Sequence, residues 1–134
     1  MQNTRNKRLR RKGATAVEFA LTAPLLFAIL FGAMELGHAN MISNVAEAAA
    51  YEGARQGIVP GATAADCINA ANGILQISGV RNAAVTVVPA NLATSSNSVS
   101  VQISIPYASN AIAAQVFTNS LVVNRRCQLI RESL

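Results

Sequence analysis

The residues with the clearest chemical potential lie close together, at Gly13, Ala14 and Glu18. Six Lys and Arg side chains precede Gly13, and Glu18 is the lone carboxylate of the apolar run that follows. A carboxylate near the edge of an apolar span is costly, and such groups tend to be paired and functional. Hydrolysis of the bond between Gly13 and Ala14 would create a partner, an α-amine one helical turn from Glu18. A glycine at that bond offers a peptidase the least steric resistance.

The amine and the carboxylate have two ways to pair. They close on each other within one subunit, or the amine of one helix meets the carboxylate of a neighbouring helix. Either pairing neutralises a charge that hydrocarbon disfavours, and pairing between subunits also fixes their axial register. The simpler alternative is an interfacial Glu18 that the N-terminal end of the helix dipole stabilises.

The apolar run over residues 14–34 is long enough to span a membrane. As a helix it would extend about 31 Å, which is close to the ~30 Å hydrocarbon thickness of a bilayer. The basic cluster precedes the run and the next basic residue is Arg55, so the positive-inside bias places the N-terminus in the cytoplasm of a bacterial cell and the C-terminal part in the periplasm. Two alternatives are a secretory signal peptide cleaved near Ala39 and an anchor that is never processed.

The first 57 residues resemble TadE-like proteins, the pseudopilins or minor pilins of the tight-adherence (Tad, Flp or type IVc) pilus system. The resemblance lies in RRKG before the apolar helix, in Glu18-Phe19, in Pro24 and in the EGAR at 52–55. It implies cleavage by a prepilin peptidase between Gly13 and Ala14, with Glu18 and Phe19 as the assembly pair. The implied partners are other pilins and pseudopilins, the inner-membrane assembly platform and the lipid bilayer. The major Flp pilin is little more than its hydrophobic helix, so this longer chain resembles a minor component.

A long helix over residues 14–57 must position these groups, and Gly57, Pro60 and Gly61 predict its end. An apolar face is predicted beyond the membrane from four residues at helical spacing: Met41, Val45, Ala48 and Ala49. Small residues recur every four positions at Ala49, Gly53 and Gly57. Such a ladder permits close packing of another backbone, and the alternative is that it covers the protein's own sheet.

The rest of the chain predicts a second helix and a small antiparallel sheet. Thr63 is the expected N-cap of a helix that runs toward Gly79, with Asp66 in its first turn. Residues 83–88 and 99–105 are rich in β-formers, and 121–130 offers a third strand. The predicted fold class is therefore α+β and pilin-like.

Three domains follow: a basic leader over 1–13, the long helix over 14–57, and a small α+β domain over 58–134 that is exposed to the periplasm or the cell exterior. The last domain is close to the lower size limit for an independent core, so the long helix should supply one of its layers. A disulfide between Cys67 and Cys127 would stabilise such a domain by about 4 kcal/mol in the chain-entropy model. The alternative is two buried free thiols.

Several function classes lack support in the sequence. The single histidine, His38, and the widely spaced cysteines match no metal-binding pattern, and no catalytic motif or cofactor-binding loop is present. The net charge of +5 derives from the leader, so nucleic-acid binding is not expected either. Two hypotheses remain: a non-enzymatic minor pilin that joins adhesive Flp pili, whether in the shaft, at the tip or at the platform, and an unprocessed single-pass anchor for a periplasmic binding module.

Overall fold

The computed structural model describes residues 3–92, 97–112, 118 and 120–131, and side chains from residue 13 onward. The elements, in chain order, are α1 (Asn3–Gly57), α2 (Ala64–Ile77), β1 (Ala84–Val88), β2 (Ser98–Pro106), a short 3₁₀ helix (Tyr107–Ser109) and β3 (Val122–Ile130). This confirms the predicted α+β class. The predicted loop over 89–98 and the segment over 108–118 lie partly outside the described residues.

The chain divides into two compact units, Met1–Met34 and Glu35–Leu134. In the first unit α1 continues through Pro24 without interruption. Its apolar side chains are exposed: Phe19 is 70 % exposed and Leu21 is 74 % exposed. An apolar surface of this extent requires lipid or other helices around it.

The second unit is built on a three-stranded antiparallel sheet with strand order β1-β2-β3. In β2 the residues Val99, Val101, Ile103 and Ile105 are fully buried. The polar residues between them belong to the other face, as the predicted alternation requires. Each strand lies within a few residues of its predicted position.

Residues 35–57 of α1 supply a second layer of this unit. The helix ends at Gly57, where the sequence predicts an end. Its buried face consists mainly of small side chains: Ala39, Ile42, Ala46, Ala49, Ala50 and Ala54. The predicted apolar face is wrong at two positions, because Met41 is 51 % exposed and Ala48 is also exposed. Alanine and glycine, rather than the larger side chains, face the sheet because they allow close packing.

The helix α2 begins as predicted, with Thr63 as its N-cap. The Thr63 hydroxyl accepts a hydrogen bond from the Asp66 N–H at 3.3 Å, and the Thr63 N–H donates to Asp66 Oδ2 at 2.9 Å. These reciprocal bonds form a capping box, which satisfies backbone donors that the first turn leaves unpaired. Cys67, Ala71 and Leu75 form the buried face of this helix.

Candidate processing and assembly site

The predicted processing site lies within α1. Gly13 and Ala14 are both helical, and a Cβ added at Gly13 would meet nothing within 4 Å. The backbone of Gly13 is not in the left-handed region either, so neither packing nor conformation requires a glycine here. Cleavage would require this turn to unwind, which glycine eases because its helix propensity is low.

Ala14 and Glu18 lie one helical turn apart on α1, on the same side of the helix. The Glu18 side chain is exposed, and within the described part of the chain it forms no ion pair. The Thr22 hydroxyl donates to the Glu18 carbonyl at 2.9 Å, a local bond that does not involve the carboxylate. The geometry therefore offers an acceptor to a cation from another molecule or, after cleavage, to the amine of Ala14.

Phe19 follows on α1 and is exposed along with most of its apolar neighbours in the first unit. Among the described residues one helix is long and apolar enough to cross a membrane, and its apolar window lies near the N-terminus. Almost none of that window is buried within the chain. A membrane anchor is the arrangement that such a helix suggests.

Sequence inspection did not predict a polar cluster where the second unit begins. Glu35 is 7 % exposed, and its Oε1 accepts hydrogen bonds from the N–H of Thr118, at 2.9 Å, and from the Thr118 hydroxyl. Thr118 is itself buried. These bonds join α1 to the segment before β3. The only sequence signal was an acidic residue directly after a long apolar run.

Tyr107 and His38 extend this cluster. The Tyr107 hydroxyl donates to the Glu35 carbonyl at 3.0 Å, and His38 Nδ1 lies 3.3 Å from the same hydroxyl. Because the hydroxyl proton is directed at the carbonyl, His38 Nδ1 acts as the donor to the hydroxyl oxygen. Burial, and then the nearby charge of Glu35, raise the pKa of Tyr107. The cluster fixes the start of the second unit.

The small-residue ladder faces the interior of the second unit. A Cβ on Gly57 would lie 2.8 Å from Val99 Cγ2 and 2.9 Å from the sulfur of Cys67. A Cβ on Gly53 would lie 3.0 Å from the Cys67 carbonyl oxygen. Ala49 is fully buried. These residues therefore bring α1 close to its own sheet and to α2, and they are not accessible to another subunit.

Cys67 and Cys127 are both free thiols, so the structure does not contain the disulfide expected between them. A Cβ on Gly57 would lie 2.9 Å from the Cys67 sulfur, and Cys127 lies opposite Val101 in the pairing of β3 with β2. Burial raises the pKa of both thiols, which makes them poor nucleophiles at neutral pH.

An open groove lies between α1 and the C-terminal end of α2. It is lined by Gly37, Asn40, Met41, Asn44, Val45, Ala48, Ile74 and Ser78. Its α1 residues recur at intervals of three and four, which is the spacing of one helix face. A Cβ on Gly37 would meet nothing within 4 Å, so this face of α1 is open at Gly37.

Comparison with protein families identifies the N-terminal part of the chain. Residues 13–55 match the family model described as TadE-like protein. Over these residues the chain is similar to TadE-like proteins. The match confirms the resemblance predicted from the sequence, and it begins at Gly13. It supports a pilin-like protein associated with the Tad pilus as the general class.

The TadE-like match includes Ala14, Glu18, Phe19, Glu35 and Gly53, whereas Gly57, the cysteines and the whole sheet lie beyond it. No curated protein and no solved structure matches the chain significantly. The similarity to a known family is therefore limited to the helix α1, and the sheet is interpreted from its geometry alone.

Proposed function

We propose that the protein is a non-catalytic minor pilin or pseudopilin that takes part in assembly of a Tad (Flp, type IVc) adhesive pilus. One observation carries this proposal: the TadE-like match begins at Gly13 and continues through an apolar helix whose side chains are exposed. A helix with this surface is suited to the bilayer before assembly and to a bundle of similar helices afterwards.

Cleavage between Gly13 and Ala14 by a prepilin peptidase would convert the anchor into a subunit. It removes the cluster of six basic residues and exposes the α-amine of Ala14. In hydrocarbon this amine and the Glu18 carboxylate each favour an oppositely charged partner. Pairing between the amine of one subunit and Glu18 of its neighbour would fix the axial register of the two helices.

The location of the protein follows from the same features. Before assembly the helix crosses the inner membrane once, with the N-terminus in the cytoplasm and the second unit in the periplasm. Its expected partners are the prepilin peptidase, other pilins or pseudopilins and the assembly platform. After assembly the second unit is presented on the outside of the helical bundle.

N-terminal sequencing of the protein extracted from membranes tests the processing step. The proposal expects a chain that begins at Ala14, and a Gly13→Leu variant should retain Met1 because the larger side chain hinders the peptidase. A native chain that retains Met1 in cells with functional pili would contradict the proposal and favour an unprocessed anchor for a periplasmic binding module.

The Glu18→Gln variant tests the assembly step, since it keeps the side-chain size and removes the charge. We expect normal cleavage and insertion, but loss of co-purification with other pilus components. Glu47→Gln is the matched control, because Glu47 is an exposed carboxylate on the same helix but lies in the second unit. Equal co-purification of the two variants would rule out a role for Glu18 in register.

A further inference from the structure

Within the part of the chain that the structure describes, β3 is an edge strand, and one of its two sides pairs with no other strand. The Arg131 N–H donates to the Asn97 carbonyl at 2.8 Å, and the Tyr107 N–H donates to the Leu121 carbonyl at 3.0 Å. The odd-numbered residues of this segment therefore face β2. By the same alternation, the N–H and C=O groups of the even-numbered residues point away from the sheet. These residues are Val122, Asn124, Arg126, Gln128 and Ile130, and all five side chains are exposed.

The opposite edge of the sheet is less suited to another strand. β1 has five residues, against nine for β3. It is followed directly by Pro89, which has no N–H to donate. In addition, α2 packs against β1. The longer row of available backbone groups is therefore on β3.

β3 and the residue after it carry three guanidinium groups, of which Arg126 belongs to the outward-facing even-numbered row. Arg125 donates to the Asn124 carbonyl at 3.0 Å and to the Ser43 hydroxyl, Arg126 donates to the Ser100 hydroxyl at 2.7 Å, and Arg131 donates to the Leu92 carbonyl. All these acceptors are neutral. Across the described ranges the ion pair between Glu52 and Arg55 is the only one, so none of the three guanidinium groups is paired with a carboxylate there.

We propose that β3 accepts an extended acidic segment of a partner protein as a fourth strand. The backbone groups of the five even-numbered residues would supply the ladder hydrogen bonds, as in other cases of strand addition, with Arg125 giving up its bond to the Asn124 carbonyl or sharing it. Arg126 lies at the centre of the outer row, so a carboxylate opposite it forms a favourable cross-strand pair. Val122 and Ile130, 48 % and 78 % exposed, are at the two ends and favour apolar residues there. This surface belongs to the folded second unit and does not depend on processing at Gly13.

The charge pattern argues against a second copy of this chain as the added strand. Two β3 strands paired antiparallel about their centres would place Arg126 opposite Arg126, and like charges in that position repel. Charged residues on edge strands also prevent non-specific pairing. The positive charge of Arg126 therefore disfavours pairing with a neutral or basic strand. An acidic strand would place a carboxylate opposite Arg126 and remove the repulsion.

The test uses the full chain in detergent micelles and a synthetic nine-residue peptide with three central glutamates flanked by valine and threonine. On titration, NMR should show shifts and increased exchange protection for the amides of the five even-numbered β3 residues. A peptide with lysines in place of the glutamates should not bind. A peptide N-methylated at alternate residues should not bind either, because it cannot complete the ladder.

Protein variants separate the charge from the fold. The double variant Arg126→Gln/Arg131→Gln should bind the acidic peptide about three- to tenfold more weakly. Arg81→Gln, which removes an exposed charge outside β3, should bind like the native chain. If the double variant fails to fold, the peptide controls on the native chain still decide the question.

Three results of the peptide titrations would overturn the proposal. These are equal binding of the glutamate and lysine peptides, shifts confined to residues outside β3, and equal weakening by Arg81→Gln and the double variant. Binding of vesicles containing phosphatidylglycerol through the β3 arginines, without binding of the acidic peptide, would also overturn it and assign the charge to lipid.

Discussion

Glu35, the first residue of the second unit, connects α1 to two segments that come much later in the chain. Its buried carboxylate accepts hydrogen bonds from the backbone and the hydroxyl of Thr118, which is 83 positions away in the sequence. A charged acceptor with buried donors contributes more than a neutral one, because removing it leaves those donors unsatisfied. The Tyr107 hydroxyl binds the carbonyl of the same residue. A single residue thus connects α1 to two later segments.

Replacing Glu35 with alanine should destabilise the second unit by about 2 kcal/mol, since the buried donors of Thr118 lose their acceptor. Urea unfolding of the full chain in detergent, followed by circular dichroism, measures the change. Glu52→Ala is the control, because its ion pair with Arg55 lies at the surface and contributes little. Similar midpoints for the two variants would contradict this role of Glu35.

The residue scale also shows why part of the site was not predicted from the sequence. Glu18 and Gly13 were proposed as site residues from the sequence because the argument for them uses only residues within a few positions along the chain. The bonds from Thr118 to Glu35 depend on the tertiary fold, and no local pattern marks them. The cysteines were assigned to a disulfide from composition and compartment, but whether two thiols meet depends on the packing of α2 against the sheet, which no local pattern marks.

At the scale of elements, the N-terminus of α2 is held by its capping box. Thr63→Ala should cost about 1 kcal/mol of stability, because the Asp66 N–H loses its acceptor. Hydrogen bonds from the hydroxyl and the N–H of Thr63 also hold the pKa of Asp66 below its ordinary value. The stabilisation from Asp66 is therefore present above the ordinary carboxyl pKa and is lost as the pH falls through the lowered value.

Urea unfolding at neutral pH and at pH values below the ordinary pKa of aspartate tests both statements. The native chain should lose stability on acidification. Thr63→Ala should lose less, because it already lacks the hydrogen bond from the Thr63 hydroxyl to the Asp66 carboxylate. A parallel decrease in both proteins would show that the capping box does not couple to pH. The cap itself was predictable, since Thr63 and Asp66 are three residues apart and signal a helix start without any tertiary information.

Packing between elements is tightest at Gly57. Because a Cβ there would lie 2.8 Å from Val99 and 2.9 Å from Cys67, Gly57→Ala should destabilise the second unit by about 1–3 kcal/mol. Gly73→Ala on α2 is the matched control: its Cβ meets nothing within 4 Å, so this change should stabilise by about 0.5–1 kcal/mol. Thermal unfolding of the two variants should therefore shift in opposite directions, and a shift in the same direction would contradict the packing.

The buried face of α1 and its start were predicted less well than its end. Gly57 with Pro60 after it marks the end correctly, whereas the predicted start at residue 14 is wrong, because α1 begins at Asn3 and includes the basic residues before the apolar run. Its buried face was assigned to Met41 and Ala48, but the sheet packs on alanine and glycine, whose apolar signal in a sequence is weak. The exposed side of Met41 instead lines the groove between α1 and α2.

At the scale of the whole molecule, packing within the described part of the chain does not require a glycine at position 37. Glycine within a helix costs roughly 0.5–1 kcal/mol relative to alanine, and a Cβ at Gly37 meets nothing within 4 Å. It lines the groove next to Asn40 and Asn44, whose amides are exposed. If the groove receives the helix of a neighbouring pilin subunit, the absent side chain allows close approach of the two backbones.

Gly37→Leu should leave cleavage and the fold of the second unit intact, because Gly37 is exposed and a Cβ there meets nothing within 4 Å. Co-purification with other pilus components should decrease, since the leucine separates the two helices. Gly73→Leu is the control, because a Cβ on this glycine also meets nothing within 4 Å and Gly73 does not line the groove. Quantifying pilus components bound to each variant after detergent extraction gives the measurement. Equal recovery with the two variants would show that subunits do not meet at this groove, and would leave the membrane helix as the surface on which assembly depends.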